Sequence, residues 1–352
     1  MADVHKERRD RLWAHCRAAG LDAALVTRPA NVRWLAGSDA ARALLLTAGS
    51  VCVAVQDAVP HQEGLTELRA APGEDPALLL ADGFRAASLG VEEHDLTVAR
   101  HRAVAAATGA GLVDLGGAVE QLRAVKDEDE ITCMRIAGEI GDQALNELLE
   151  SILVGRTERH LSMELERRMV DHGADGASFP VRVGAGEHSG FAGHRSGDRR
   201  IEDGDFVTVA IGACYRGYRA SATRTFVVGL APEEWQSALH RQVFDAQRAA
   251  REVLVAGAGP DAASRAAQRV LDAAGLLGEV SGHGLGLEIE EAPRLGPQEL
   301  GKLDNRVPVT VGVGVHLPGR GGVRIEDTLV VRPSEDGGPE LLTITTKELL
   351  AL

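Results

Sequence analysis

The sequence predicts a two-domain α/β (α+β) chain, with an α/β domain over residues 1–122 and a larger domain over residues 123–352 that carries an internal pseudo-twofold repeat. Three observations lead there. The first third alternates helix-period and strand-period segments. Long amphipathic helices follow from Lys126 onward. Two later segments also resemble each other: residues 207–212 read Val-Thr-Val-Ala-Ile-Gly and residues 309–314 read Val-Thr-Val-Gly-Val-Gly.

In chain order, Leu12, Cys16 and Ala19 share one helical face, and Gly20 is a natural stop. A strand follows at Ala23–Thr27. The runs Leu44–Thr47 and Val51–Val55 flank Ala-Gly-Ser and read as a hairpin. Strands are expected at Ala87–Val91 and Leu112–Val113, with a helix near Val98–Ala107 between them. After Lys126 a long helix opens on Asp127, Glu128, Asp129 and Glu130, charges that suit the positive end of the helix dipole. Ile131, Met134, Ile140, Ala144, Leu148 and Ile152 keep its period, and Gly155 ends it. Thr157 caps a second helix carrying Leu161, Leu165 and Met169, which stops at Gly173. Two further helices are expected at about 232–256 and 260–274. The two similar segments are each followed by a turn and a second β run, Thr225–Val228 and Thr328–Val331. This reads as a duplicated hairpin, and a site belongs between its halves, where both can aim side chains inward.

Composition excludes several classes. With 38 Lys and Arg against 52 Asp and Glu, the net charge of −14 disfavours nucleic acid and anionic membranes as partners. It suits cationic substrates, but a solvated acidic surface is the better explanation. Cys16, Cys52, Cys133 and Cys214 form no C-x-x-C pair, so neither a zinc knuckle nor a redox motif is indicated. No apolar run is long enough for a membrane span, and the charged start has no signal-peptide core. A cytoplasmic protein is expected. There is no Gly-x-Ser-x-Gly elbow, Ser-His-Asp arrangement or phosphate-binding Gly loop.

Several strings occur in a recognisable order. They are Leu21-Asp22-Ala23-Ala24-Leu25-Val26-Thr27 with Asn31-Val32-Arg33-Trp34-Leu35-Ala36-Gly37, then Leu122-Arg123-Ala124-Val125-Lys126-Asp127-Glu128-Asp129-Glu130-Ile131, then Gly155-Arg156-Thr157-Glu158. Thr223-Arg224-Thr225-Phe226, His283-Gly284-Leu285-Gly286-Leu287 and Gly322-Val323-Arg324-Ile325-Glu326-Asp327 complete the set. In these strings the chain resembles the pita-bread peptidases (aminopeptidase P, prolidase, creatinase) over nearly its whole length. The resemblance implies a creatinase-like N-terminal domain and a pita-bread C-terminal domain. It also implies a homodimer.

The peptidases of that family bind two divalent metals through Asp, Asp, His, Glu and Glu. At the matching positions this chain has Ala210, Ser221, His283, Gly312 and Glu326. Three of the five donors are missing, so no metal ligands and no cofactor are expected. The candidate catalytic residues are His283, Glu326, Glu290 and His194. His283 is placed as a base near neutral pH, and a satisfied relic histidine is the bland alternative. Glu326 shares a strand face with Arg324 and binds an ammonium or orients His283; a structural Arg–Glu pair is the alternative. Glu290 stands where many relatives have a second His, and on an extended chain shares a face with Glu288. His194 fills the family's loop-histidine position if one residue is deleted; otherwise Gly193 occupies it. The substrate-binding candidates are His316, Arg324, His188 and Ser221. His316 alternates with Gly312 and Gly314, which points it into the vacated metal cavity. Arg224 and Arg324 also read as scaffold charges or carboxylate clamps.

The expected function is a metal-independent, creatinase-like enzyme. It would use His and Glu acid–base chemistry on a C–N bond of a small amino-acid-like or guanidino-like substrate, by hydrolysis, elimination or cyclisation, and would suit specialised metabolism. The alternatives are a non-catalytic partner protein and an Xaa-Pro dipeptidase with an atypical metal site.

Overall fold

A computed structural model describes residues 4–57, 64–151 and 154–352. The chain divides into two compact units, Met1–Arg123 and Ala124–Leu352.

The first unit holds helices α1 (Val4–Ala18), α2 (Pro29–Ala36), α3 (Pro76–Ala81) and α4 (Val98–Thr108), with α5 (Ala118–Ala124) at its end. Its strands are β1 (Ala23–Val26), β2 (Ala41–Thr47), β3 (Val51–Val55), β4 (Leu65–Arg69), β5 (Ser88–Val91) and β6 (Gly111–Asp114), in the sheet order β4-β3-β2-β1-β5-β6. The expected hairpin is present, with Leu44 opposite Val53 and Leu46 opposite Val51. Leu12 and Cys16 are buried, and Gly20 follows α1 at φ 70°, a left-handed conformation that costs glycine little. Ala23, Leu25, Ala43, Leu45, Leu89, Val91 and Val104 form the core.

The second unit opens with α6 (Glu128–Leu149) and α7 (Glu158–Asp171). Asp127 and Glu130 close a capping box on α6, with each side chain accepting from the other's backbone N–H. Thr157 accepts from the His160 N–H at the start of α7. The long helix stops at Leu149, so its expected reach to Ile152 is not met; Ile152 itself lies outside the described residues. Then come β7 (Gly176–Ala177), β8 (Arg182–Ala185), β9 (Phe206–Tyr215), β10 (Tyr218–Val227), α8 (Glu234–Glu252) and α9 (Ala262–Ala273). The remaining strands are β11 (Glu279–Gly284), β12 (Glu291–Arg294), β13 (Pro308–Leu317), β14 (Gly321–Val330) and β15 (Glu340–Leu341).

These strands form one curved sheet ordered β12-β11-β13-β14-β10-β9-β7, with β8 also on β9 and β15 on β14. Two hairpins of ten-residue strands, β9–β10 and β13–β14, meet through β10 and β14. Ala210 faces Thr223 in the first hairpin, and Gly312 faces Glu326 in the second. Thr223 faces Glu326 across the seam. Ala210 therefore corresponds to Gly312 and Thr223 to Glu326 under a pseudo-twofold, the relation that the repeated sequence predicts. Helices cover one face of the sheet: Val243, Ala246 and Ala250 of α8 share a core with Val309, Val311 and Ile325. Ile140, Leu145 and Leu148 of α6 share another with Val207, Val209 and Phe226.

Behind the seam sits a buried polar clamp. Arg224 donates to Asp327 at 2.8 Å, to the Glu326 carbonyl at 2.6 Å and to the Thr345 carbonyl at 3.0 Å. Gln247 donates to Asp327 at 2.8 Å, and Lys347 lies 3.2 Å from it. Arg224 is thus a scaffold charge.

No helix of the described residues is long and apolar enough to cross a membrane.

Candidate active site

Strand pairing lines up residues across the sheet in rows. One row runs Ala210, Thr223, Glu326, Gly312, Ser281 over β9, β10, β14, β13 and β11. A neighbouring row brings Ser221 to Thr328, through bonds of 2.8 and 2.9 Å, and then to Thr310 and His283. Because side chains alternate along each strand, both rows present one face to the same concave surface. The surface bounds a cavity of about 290 Å³. Its floor carries Ala210, Ser221, Thr223, Ser281, His283, Arg324 and Glu326; Phe179, Arg182, His188, Phe191, His194, Ile289 and Glu290 form its walls.

Of the residues singled out in the sequence, His283, Glu326, Ser221, Arg324, His188, His194 and Glu290 line this cavity. His283 Nδ1 is 3.0 Å from the Gly284 carbonyl, which can only accept. Nδ1 therefore carries a proton and donates in that contact. Ser221 Oγ donates to Glu326 Oε1 at 3.4 Å. Arg324 donates to Ser281 Oγ at 2.6 Å and to Glu279 at 3.2 Å, with Glu326 at 3.9 Å. Glu326 is therefore held between a hydroxyl and a guanidinium.

Two expectations are corrected. His316 does not line the cavity. Alternation assigns it the right strand face, but it lies near the end of β13, where Nδ1 donates to the Ser189 carbonyl at 3.0 Å and the ring packs on Phe191. Glu288 and Glu290 do not share a face of an extended strand either, because residues 286–290 bend. Glu290 reaches the cavity rim, largely exposed, 3.4 Å from Arg294.

A further group was not singled out from the sequence as a site. Glu158, the first residue of α7, is fully buried and points at the loop from Gly186 to Gly197. One carboxylate oxygen accepts from the Ala185 N–H and contacts His188 Nδ1, both at 2.9 Å. The other accepts from the Gly197 N–H at 2.9 Å and contacts His194 Nε2 at 2.8 Å. The two imidazoles stack with ring centroids 4.3 Å apart. Burial pushes the Glu158 carboxyl up, but the two backbone donors and the two imidazoles outweigh it and hold the group below the usual carboxylate range. Glu158 was visible only as part of Gly155-Arg156-Thr157-Glu158. The contact depends on a loop some thirty residues onward folding back over the start of α7, which no local pattern announces. Arg182 was missed too; its signal is alternation with Gly184 on a short strand. It donates to the Ala192 carbonyl at 2.9 Å.

The five positions where the resembled family binds metal do not fit a two-metal centre in this chain. Ala210 and Gly312 offer no ligand atom, and Ser221 offers only a neutral hydroxyl, whereas hard divalent ions need several oxygen ligands. The space at residue 312 is also taken: a Cβ there would meet Glu326 Oε2 at 2.8 Å and Ser281 Oγ at 3.2 Å. A different set, Glu158, His188 and His194, offers three ligand atoms within 4.8 Å of one another.

Residues 132–333 match the metallopeptidase family M24, and residues 8–125 match the creatinase/prolidase N-terminal domain. An uncharacterized peptidase of Bacillus subtilis, YqhT, is 31% identical over 344 residues, covering 95% of this chain and 96% of that protein. A probable dipeptidase PepE of Mycobacterium bovis is 30% identical over 96% of this chain and 94% of its own. Among solved structures, the Xaa-Pro dipeptidase from Bacillus anthracis superposes with a TM-score of 0.90 at 30% identity, over 99% of this chain and all of that one. These findings overturn the expected metal-independent enzyme acting on a guanidino-like C–N bond in specialised metabolism. The matched family is one of metallopeptidases, and the named relatives are peptidases and dipeptidases. Three missing carboxylates do not outweigh likeness along the whole chain. With both domains matched and the pita-bread sheet in place, the chain belongs to metallopeptidase family M24.

Proposed function

We propose that this protein is a dipeptidase of the Xaa-Pro type, taking a short peptide into the cavity over the β9–β10 and β13–β14 hairpins. The observation that carries the reading is full-length likeness to an Xaa-Pro dipeptidase together with this chain's cavity over the β10–β14 seam. At about 290 Å³ the cavity lies at the small end of small-molecule sites, which suits a dipeptide better than a longer chain.

A dipeptide brings an ammonium, a carboxylate and one scissile amide. The Arg324 and Arg182 guanidinium groups are the cavity's cations suited to a carboxylate, as planar donors. Glu326 and Glu290 are its carboxylates and suit the ammonium. His283, whose Nδ1 donates to the Gly284 carbonyl, would take a proton from water at Nε2 or return one to the leaving amine. Phe179, Phe191 and Ile289 supply an apolar wall for a proline ring. The family's dimer is proposed for this chain as well, and light scattering of the purified protein reads it directly.

The test is proline release from a panel of Xaa-Pro dipeptides, with manganese, cobalt or zinc added or with chelator. Hydrolysis of free dipeptides, and little of their C-terminal amides, is the expected result. Turnover of amide and free acid at equal rates would remove the carboxylate clamp from the reading.

A further inference from the structure

We propose that Glu158, His188 and His194 form a mononuclear site for a divalent ion of the zinc class on the wall of the cavity, apart from the positions where the family's ligands would stand. Glu158 comes from the start of α7, His188 from a single 3-10 turn at Gly186–His188, and His194 from the loop that follows.

The first argument is charge. Glu158 is fully buried, and its two ion pairs among the described residues are both with imidazoles. A buried carboxylate is costly unless it is paired or ligates a metal. The backbone and imidazole donors solvate its charge, and a divalent ion at the same point would add a full countercharge. The second argument is geometry. The carboxylate oxygens lie 2.9 and 2.8 Å from His188 Nδ1 and His194 Nε2. Ligand atoms about 2.0–2.1 Å from a tetrahedral zinc stand roughly 3.3 Å from one another, so the oxygen–nitrogen gaps need open by only about half an ångström. The rings must also turn out of their stack. His188 is half-buried at the end of a one-turn helix, and His194 follows Gly193 in a loop, so neither sits in a packed core.

The third argument is support. Each carboxylate oxygen already accepts one backbone N–H, from Ala185 or Gly197, which fixes the ligand in the way outer-shell bonds fix metal ligands. Both histidines line the cavity, so an ion held by three protein ligands keeps its fourth position toward that space. Two nitrogens and one carboxylate suit zinc or cobalt and do not suit magnesium or calcium, which demand oxygen. The site would give a metal to a metallopeptidase fold that lacks three of its five usual donors. It rests on the dipeptidase reading only for what the ion does, because binding is measured without peptide.

The experiment uses the full chain, stripped with chelator and titrated with zinc by calorimetry and with cobalt by visible absorption. One zinc per chain is expected, and cobalt should give the intense visible bands of a four-coordinate site. H188A, H194A and E158Q should each weaken zinc binding by about tenfold or more. Circular dichroism checks the fold, and H188A, at the half-buried residue, is the variant least able to disturb it. Failure to bind zinc stoichiometrically would overturn the proposal. So would full affinity in H188A and H194A, or loss of zinc in H283A and E326Q instead. One zinc bound with no dipeptidase activity would sustain the metal site and defeat the dipeptidase reading alone.

Discussion

His283, Glu326, Ser221 and Arg324 were legible because each lies in or beside a short string that fixes strand register, and register fixes which face a side chain takes. His316 shows the limit of that logic. Alternation gave its face correctly, but not that the backbone at Ser189 and the Phe191 ring would cover that end of the strand. Glu158 was illegible for the opposite reason, because its partners come from a loop with no periodicity. Another residue outside the sequence reading has a consequence for pH. His240 on α8 is buried, and burial lowers its pKa from 6.5 to about 4. Folding therefore favours the neutral ring, whereas the unfolded chain binds the proton below its ordinary value. Stability should fall as the pH drops from about 6.5 to about 4, by up to about 3 kcal/mol from this residue, and change no further below that. Urea midpoints of H240Q and wild type, compared at pH 7 and pH 4.5, check it. The variant should lose less between the two, and equal losses would clear His240 of the effect.

At the scale of elements, the duplicated hairpin was the most informative reading, because β-period and repetition agreed. The observed pairing of Ala210 with Thr223 and of Gly312 with Glu326 sets the two halves in matching register. Helix starts were legible through Asp127 and Thr157, whose side chains cap as their residue types suggest. The end of α6 was not, since Gly155 marks where the chain can turn and not where the last helical bond is made. The seam between the hairpins is held from behind by Arg224, which ties β10, β14 and the C-terminal segment to Asp327. Removing one partner of a buried ion pair leaves an uncompensated charge. R224M should therefore cost about 3 kcal/mol or more, read as a lowered denaturant midpoint with an unchanged slope. A loss below about 1 kcal/mol would mean that Lys347 and Gln247 satisfy Asp327 without it.

At the scale of the whole molecule, the α/β class and the family were readable because the matching strings span the chain in order. The function was not. Three missing ligands point toward a new chemistry, whereas full-length likeness to a peptidase and to an Xaa-Pro dipeptidase supports the proposed peptide hydrolysis. A sequence shows which donors have gone, but not which other donors a folded loop brings together. Peptide cleavage is proposed to take place over the hairpin seam. Its most direct test is the rate of proline release from a good Xaa-Pro dipeptide by wild type, H283A and E326Q. Wild type should turn over measurably, and each variant should be slower by about a hundredfold or more. Wild-type turnover that survives unchanged in both would place the chemistry elsewhere, and no release from any Xaa-Pro dipeptide would rule out the dipeptidase reading.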